Sequence, residues 1–150
     1  MKYAIDSAKE GVLKGNGGPF GACITHNGQI VAVAHNTVIK EHDPTCHAEM
    51  NVIRLATKTL GSHSLKNCEL YSTSEPCPMC LSAAYWAGID QIFIGVTREV
   101  AALYGFRDEM LYHELQRSYE DRLIPCTKGI MESDCKSLFT EWQKLSGPLY

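Results

Sequence analysis

Near the N-terminus apolar residues recur at helical spacing: Ile5, Ala8, Val12 and Leu13 share one face of residues 2–14, and Gly15, Asn16, Gly17 and Gly18 end the run. The period then changes. Phe20 to Thr25 and Gln29 to Ala34 flank Asn27-Gly28, a dipeptide that accepts the positive φ angles of a tight hairpin, so two antiparallel strands follow. From His47 onward Ala48, Val52, Leu55, Ala56 and Thr59 restore a helical face that stops at Gly61. A short strand over residues 69–73 leads to Pro76 and Pro78, after which Cys80, Ala83, Ala84 and Ala87 mark a helix ending at Gly88. Gln91 to Val96 reads as a short buried strand. Strand, helix and strand in that order require a crossover between parallel strands with helices covering the sheet, so the fold class is α/β in three layers. Beyond Thr97 the pattern weakens: Phe106 to Tyr119 has helical spacing, and Leu138, Trp142 and Leu145 form an apolar face before Gly147 and Pro148. Trp86 and Trp142 read as core residues.

Composition narrows the class. A chain of 150 residues, 45% hydrophobic and 21% charged, fits one compact soluble domain over residues 1–150, with no repeat or linker. No uncharged apolar run approaches the ~20 residues of a membrane span. Asp6 and Glu10 interrupt the first apolar stretch, which lacks the uncharged core of a secretory signal, so a cytoplasmic location is expected. The seven cysteines are an odd number, do not read as a simple disulfide framework, and fit a reducing compartment. A net charge of -3 disfavours nucleic acid as a partner, although a local basic patch is compatible with it.

The chemistry is concentrated in two short segments. His47, Ala48 and Glu49, followed by Pro76, Cys77, Pro78, Met79 and Cys80, give H-x-E and then P-C-x-x-C, the signature of a zinc deaminase site. His47, Cys77 and Cys80 supply three metal ligands and leave a fourth position open to water, while Glu49 is free for proton transfer. Cysteines three apart on a helix project from one side, and the unpaired N–H groups at a helix start favour thiolates there. Glu49 and His47 would point about 200° apart on a regular helix, so both can border one cavity only in a first turn. Taken alone, C-x-x-C also suits a redox pair or half of a structural zinc ribbon, and H-A-E alone is weak. Their combination in this order selects hydrolytic deamination.

With Pro19 to Ala22, Asn36, Asp43 to Glu49, Glu75 to Cys80 and the Gly105-Phe106-x-Asp108 segment in register, the chain resembles the cytidine deaminase superfamily, and within it the bacterial guanine deaminases. The resemblance implies a mixed five-stranded sheet between helices, a zinc cofactor, and a homodimer that exchanges its C-terminal segment. It implies conversion of guanine to xanthine and ammonia, water attacking C2 while Glu49 shuttles protons. By the same resemblance Asn36 hydrogen-bonds the purine, Asp108 engages the guanine edge and assists proton movement, Tyr150 closes the pocket, and Phe20 and Ala48 contact substrate. A carboxylate is a sensible reader of guanine, whose N1–H and 2-amino groups are adjacent donors. Cys46, Ser74 and His42 depart from the family pattern; Cys46 is expected as a buried thiol and His42 near the pocket rim. Alternatives keep the mechanism and change the substrate to guanosine, cytidine, a triazine amine or adenosine in transfer RNA. A further alternative makes the zinc structural, with Cys46 or Cys68 as fourth ligand of a non-catalytic binding module.

Overall fold

A computed structural model describes residues 1–147. Its elements are α1 (Lys2–Leu13), β1 (Gly21–His26), β2 (Gln29–His35), α2 (Val38–Glu41), α3 (Ala48–Leu60), β3 (Cys68–Ser74), α4 (Pro78–Ala87), β4 (Gln91–Val96), α5 (Arg98–Leu103), α6 (Glu109–Gln116), a 3-10 turn at Tyr119–Asp121, and α7 (Glu132–Lys144). Among the described residues no helix is long and apolar enough to cross a membrane. The chain divides into two compact units, Met1–Tyr112 and the segment from His113 onward.

In the first unit the sheet order is β2-β1-β3-β4. β1 pairs antiparallel with both β2 and β3, and β3 pairs parallel with β4 across the α4 crossover. The hairpin turns where expected, with Asn27 at φ 51° and Gly28 at φ 74°. Side chains alternate across the sheet, so Ala22, Ile24, Leu70 and Ser72 face α3 while Gly21 and Thr73 face the opposite side. On that opposite side α1 lies so close that a Cβ on Gly21 would overlap the Ala4 carbonyl oxygen. Ile24, Val52, Leu65 and Leu70 are fully buried and form the centre of the core between sheet and α3. This is the α/β layering read from the sequence.

Three expectations fail. The described residues contain four strands, not five, because α5, α6 and α7 take up the chain after Val96 and the connection between the last two contains Pro125 and Gly129. β4 is therefore an edge strand, with Ile94 46% and Val96 42% exposed, where a buried strand was expected. Trp86 on α4 and Trp142 on α7 are 74% and 44% exposed, so neither is a core residue of this chain.

In the second unit no described residue is buried. α7 keeps Glu132 and Asp134 in its first turn and Lys144 in its last, which suits the helix dipole, and Lys136 pairs with Glu132 at 2.6 Å. Its apolar residues Leu138, Phe139 and Trp142 stand exposed.

Candidate active site

Two helices begin at the site, and the residue that caps each one points into it. His47 is the N-cap of α3 and Cys77 the N-cap of α4, both with extended backbone, and Pro78 occupies the first turn of α4 where its missing N–H costs nothing. The extended conformation of His47 removes the directional conflict with Glu49: only Glu49 is helical, so both side chains reach the same cavity. His47 Nδ1 lies 3.7 Å from Cys77 Sγ and 3.5 Å from Cys80 Sγ. Tetrahedral zinc with Zn–S of about 2.3 Å and Zn–N of about 2.05 Å needs an N···S separation of about 3.6 Å, so these residues fit the ion. Among the described residues the three ligand atoms form the one such group, and neither Cys46 nor Cys68 joins it. A closed four-ligand structural site is thereby disfavoured. Cys46 is instead a buried thiol, with the Arg54 guanidinium donating to its sulfur at 3.9 Å.

Electrostatics favour positive charge between the two sulfurs. The Cys80 thiol donates to Cys77 and, with His47, holds the Cys77 thiol down at about 4, despite burial. Cys80 is pushed up, because its proton is held by Cys77 and because it is buried. His47 is raised, first by its hydrogen bond with Cys77. Zinc supplies the charge that these protons supply in its absence, and as a Lewis acid it lowers the pKa of water from ~15.7 toward ~7.

Glu49 is 5% exposed, and Ser72 Oγ donates to its Oε1 at 2.9 Å from the middle of β3. Burial raises its pKa, and hydrogen bonds from its own backbone N–H and Ser72 oppose that rise. A carboxyl group so placed can both take and return a proton.

Phe20, Asn36, His47, Glu49, Cys77 and Asp108 all line one cavity of about 380 Å³. Asn36 Oδ1 accepts from the backbone N–H of Gly18 at 3.3 Å and of Val38 at 3.1 Å, which orients the amide and leaves Nδ2 to donate elsewhere. Phe20 packs edge-on against Phe106, with centroids 4.8 Å apart. Asp108 is half-buried, and burial followed by the nearby Cys77 charge raises its pKa. Cys80 is fully buried behind the cavity. Ala48 is fully buried in the core cluster and His42 caps α2; neither is a lining residue. Tyr150 lies outside the described residues.

Sequence reasoning missed Ser72, Arg98, Arg107 and the bracing role of Glu75. Glu75 Oε2 accepts from the Arg98 backbone N–H at 3.1 Å, Arg98 lies 4.5 Å over the Tyr112 ring, and the Tyr112 hydroxyl donates to the Pro76 carbonyl at 3.4 Å. The segment just before Cys77 is thus tied to α5 and α6. Only the even register of Ser72 with Leu70 on β3 could have pointed to one of these residues.

Residues 1–96 match the family model for the cytidine and deoxycytidylate deaminase zinc-binding region. The guanine deaminase of Bacillus subtilis is 46% identical over 125 residues, covering 83% of this chain and 80% of that protein. The tRNA-specific adenosine deaminase of the same organism is 34% identical over 140 residues, covering 93% of this chain and 84% of that one. The X-ray structure of the Bacillus subtilis guanine deaminase superposes with a TM-score of 0.94 at 41% identity, covering 99% of this chain and 94% of that chain. With a zinc-sized ligand trio, a buried carboxyl group beside it and a cavity in front, the chain belongs to the cytidine and deoxycytidylate deaminase family of zinc-dependent hydrolases.

Proposed function

We propose that the protein hydrolyses guanine to xanthine and ammonia. The observation that carries this reading is the opening of one cavity onto Glu49 and onto His47 and Cys77 of the ligand trio, with Asp108 and Asn36 on its walls. His47, Cys77 and Cys80 hold zinc, Glu49 and Asp108 are catalytic, and Asn36, Phe20 and Tyr150 contact substrate. Glu49 takes a proton from the attacking water as the C2–O bond forms and delivers it to the ring nitrogen beside C2. The new C2 hydroxyl then gives its proton to Glu49, which passes it to the amine; the C2–N bond breaks, C2 becomes a carbonyl, and ammonia leaves. Asp108 accepts from N1–H and aids proton movement, while Asn36 Nδ2 donates to an acceptor on the purine. Resemblance to the Bacillus subtilis enzyme supports the choice of base.

In this reading residues 1–150 act as one deaminase domain, in the cytoplasm, where the seven unpaired cysteines remain reduced. Its working form is a homodimer with exchanged C-terminal segments. The support is energetic: a 13-residue helix such as α7 is marginal alone in water, and its apolar face is exposed, as are Tyr85 and Trp86 on α4. Mixing Glu49→Ala with Tyr150→Ala protomers tests the exchange, since only a swapped tail rebuilds one complete site.

The deciding assay is ammonia release by the zinc-loaded protein from guanine, guanosine, cytidine, adenosine and transfer RNA, with Glu49→Ala in parallel. Guanine turnover that falls by about 10²–10⁴ in the variant is expected for loss of a general acid–base group. Turnover of another amine in place of guanine overturns the substrate, and no turnover with metal bound overturns the reaction.

A further inference from the structure

The proposed reading leaves one charged residue of the cavity without a task. Arg107 lines the cavity next to Asp108, is exposed, and makes no hydrogen bond or ion pair among the described residues. The other guanidinium there is committed: Arg98 Nε donates to Glu99 Oε1 at 3.1 Å, and the group lies 4.5 Å over the Tyr112 ring. Asn36 can give the ligand only its Nδ2, because its oxygen accepts from two backbone N–H groups. The cavity therefore pairs one uncommitted carboxylate with one uncommitted guanidinium at adjacent positions.

Guanine presents matching chemistry along one rim. N1–H and the 2-amino group are donors and suit a carboxylate, whereas O6 and N7 are acceptors spaced for the fork of an arginine, the commonest specific contact to guanine. N1 and C6 are bonded neighbours, so the two edges are contiguous, as are the two residues. Resting on the guanine reading above, we infer that Arg107 is a specificity-determining residue, donating to O6 and N7 and selecting 6-oxo over 6-amino purines. A 6-amino group would turn a donor toward the guanidinium and leave that N–H and one guanidinium N–H unpaired, with N7 alone still accepting, which is where the discrimination arises. Arg107 takes no part in the bond changes at C2; it sets which ring is presented to Glu49.

The test compares guanine with 2,6-diaminopurine, which carries the same 2-amino leaving group but an amino donor in place of O6 and no hydrogen on N1; the change at N1 faces Asp108 and is common to every Arg107 variant, so it cancels when the substrate ratio is compared between variants. Wild type, Arg107→Ala, Arg107→Lys and Arg107→Glu are assayed as full-length zinc-loaded proteins, with zinc content and thermal unfolding measured for each. Arg107→Ala is expected to lower kcat/KM for guanine by about 10- to 100-fold, mostly through KM, while sparing 2,6-diaminopurine. Arg107→Lys should recover part of the loss, and Arg107→Glu should shift the ratio further toward 2,6-diaminopurine, since a carboxylate accepts from the 6-amino group. Guanine affinity, measured by calorimetry in a Glu49→Ala background, should weaken by the same factor when Arg107→Ala is added, a readout independent of turnover. An unchanged substrate ratio in Arg107→Ala and Arg107→Glu, or an equal fall for both purines, overturns the inference. If wild type does not turn over guanine at all, the functional reading itself fails and the inference falls with it.

Discussion

Replacing Ser72 with alanine removes a hydroxyl on which both stability and catalysis draw. Ser72 is 1% exposed and its Oγ donates to Glu49 Oε1 at 2.9 Å, so water does not take its place. A hydrogen bond to an ionised group contributes about 1.5–3 kcal/mol, and a domain of this size loses about 2–4 °C of Tm per kcal/mol, so Ser72→Ala should unfold about 3–12 °C lower. The effect depends on pH with a definite sign. Burial raises the Glu49 pKa above its unfolded value, so folding favours the protonated form, and ionised Glu49 weakens the fold increasingly as pH rises through the folded pKa. The Ser72 hydroxyl offsets part of that by favouring the carboxylate; without it the pKa rises further. The Tm deficit should therefore be larger at neutral than at acidic pH, and the acid limb of kcat/KM should move to higher pH. Thermal unfolding at two pH values and a pH–rate profile of the zinc-loaded protein measure both. A Tm within error of wild type, or an acid limb that stays in place, would refute this account of how Glu49 is held.

Cys77→Ser and Cys80→Ser should lose zinc and activity, whereas Cys46→Ser and Cys68→Ser should keep stoichiometric zinc; atomic spectroscopy decides, and metal loss in either of the latter two points to a closed site. Zinc uptake at neutral pH should release protons, because the Cys80 thiol keeps its proton in the metal-free protein, and affinity should rise with pH; a proton-neutral titration in a weak indicator buffer contradicts ligation by Cys80. Gly21→Val forces a side chain against the Ala4 carbonyl and should cost at least about 1–3 kcal/mol, read as a lower urea midpoint with unchanged slope; wild-type stability would mean that α1 is not seated on β1 as described.

The candidate metal-ligand group was legible in the sequence because metal ligation restricts residue type and spacing together. His47, Glu49, Cys77 and Cys80 could be assigned before any packing was known, and the structure groups the three ligand atoms. Helix stops and the Asn27-Gly28 turn were legible for a similar reason: φ/ψ sterics act within a few residues. What failed depends on partners distant in sequence. Whether β4 is central or an edge is decided by what pairs beside it, and an apolar run reads alike in both cases. Trp86 was assigned to a core on hydrophobicity alone, although its helix turns it outward. Ser72 and Glu75 gain their roles only from backbone and carboxylate atoms that strand pairing and the β4–α5 junction bring near. Arg107 and Asp108 sit in a stretch whose periodicity gave no cue to cavity or solvent.

The low pKa of Cys77, at about 4, has a cost in chemical durability. With zinc bound, both sulfurs are engaged and poorly nucleophilic. Without it, Cys77 is a half-buried thiolate of the kind that peroxide and alkylating electrophiles attack, and a sulfenic acid formed there would have the Cys80 thiol beside it to condense with, releasing water. Metal loss would thus expose the pair to oxidation that a reductant reverses. Zinc retention and resistance to oxidation are thereby linked at the same two sulfurs.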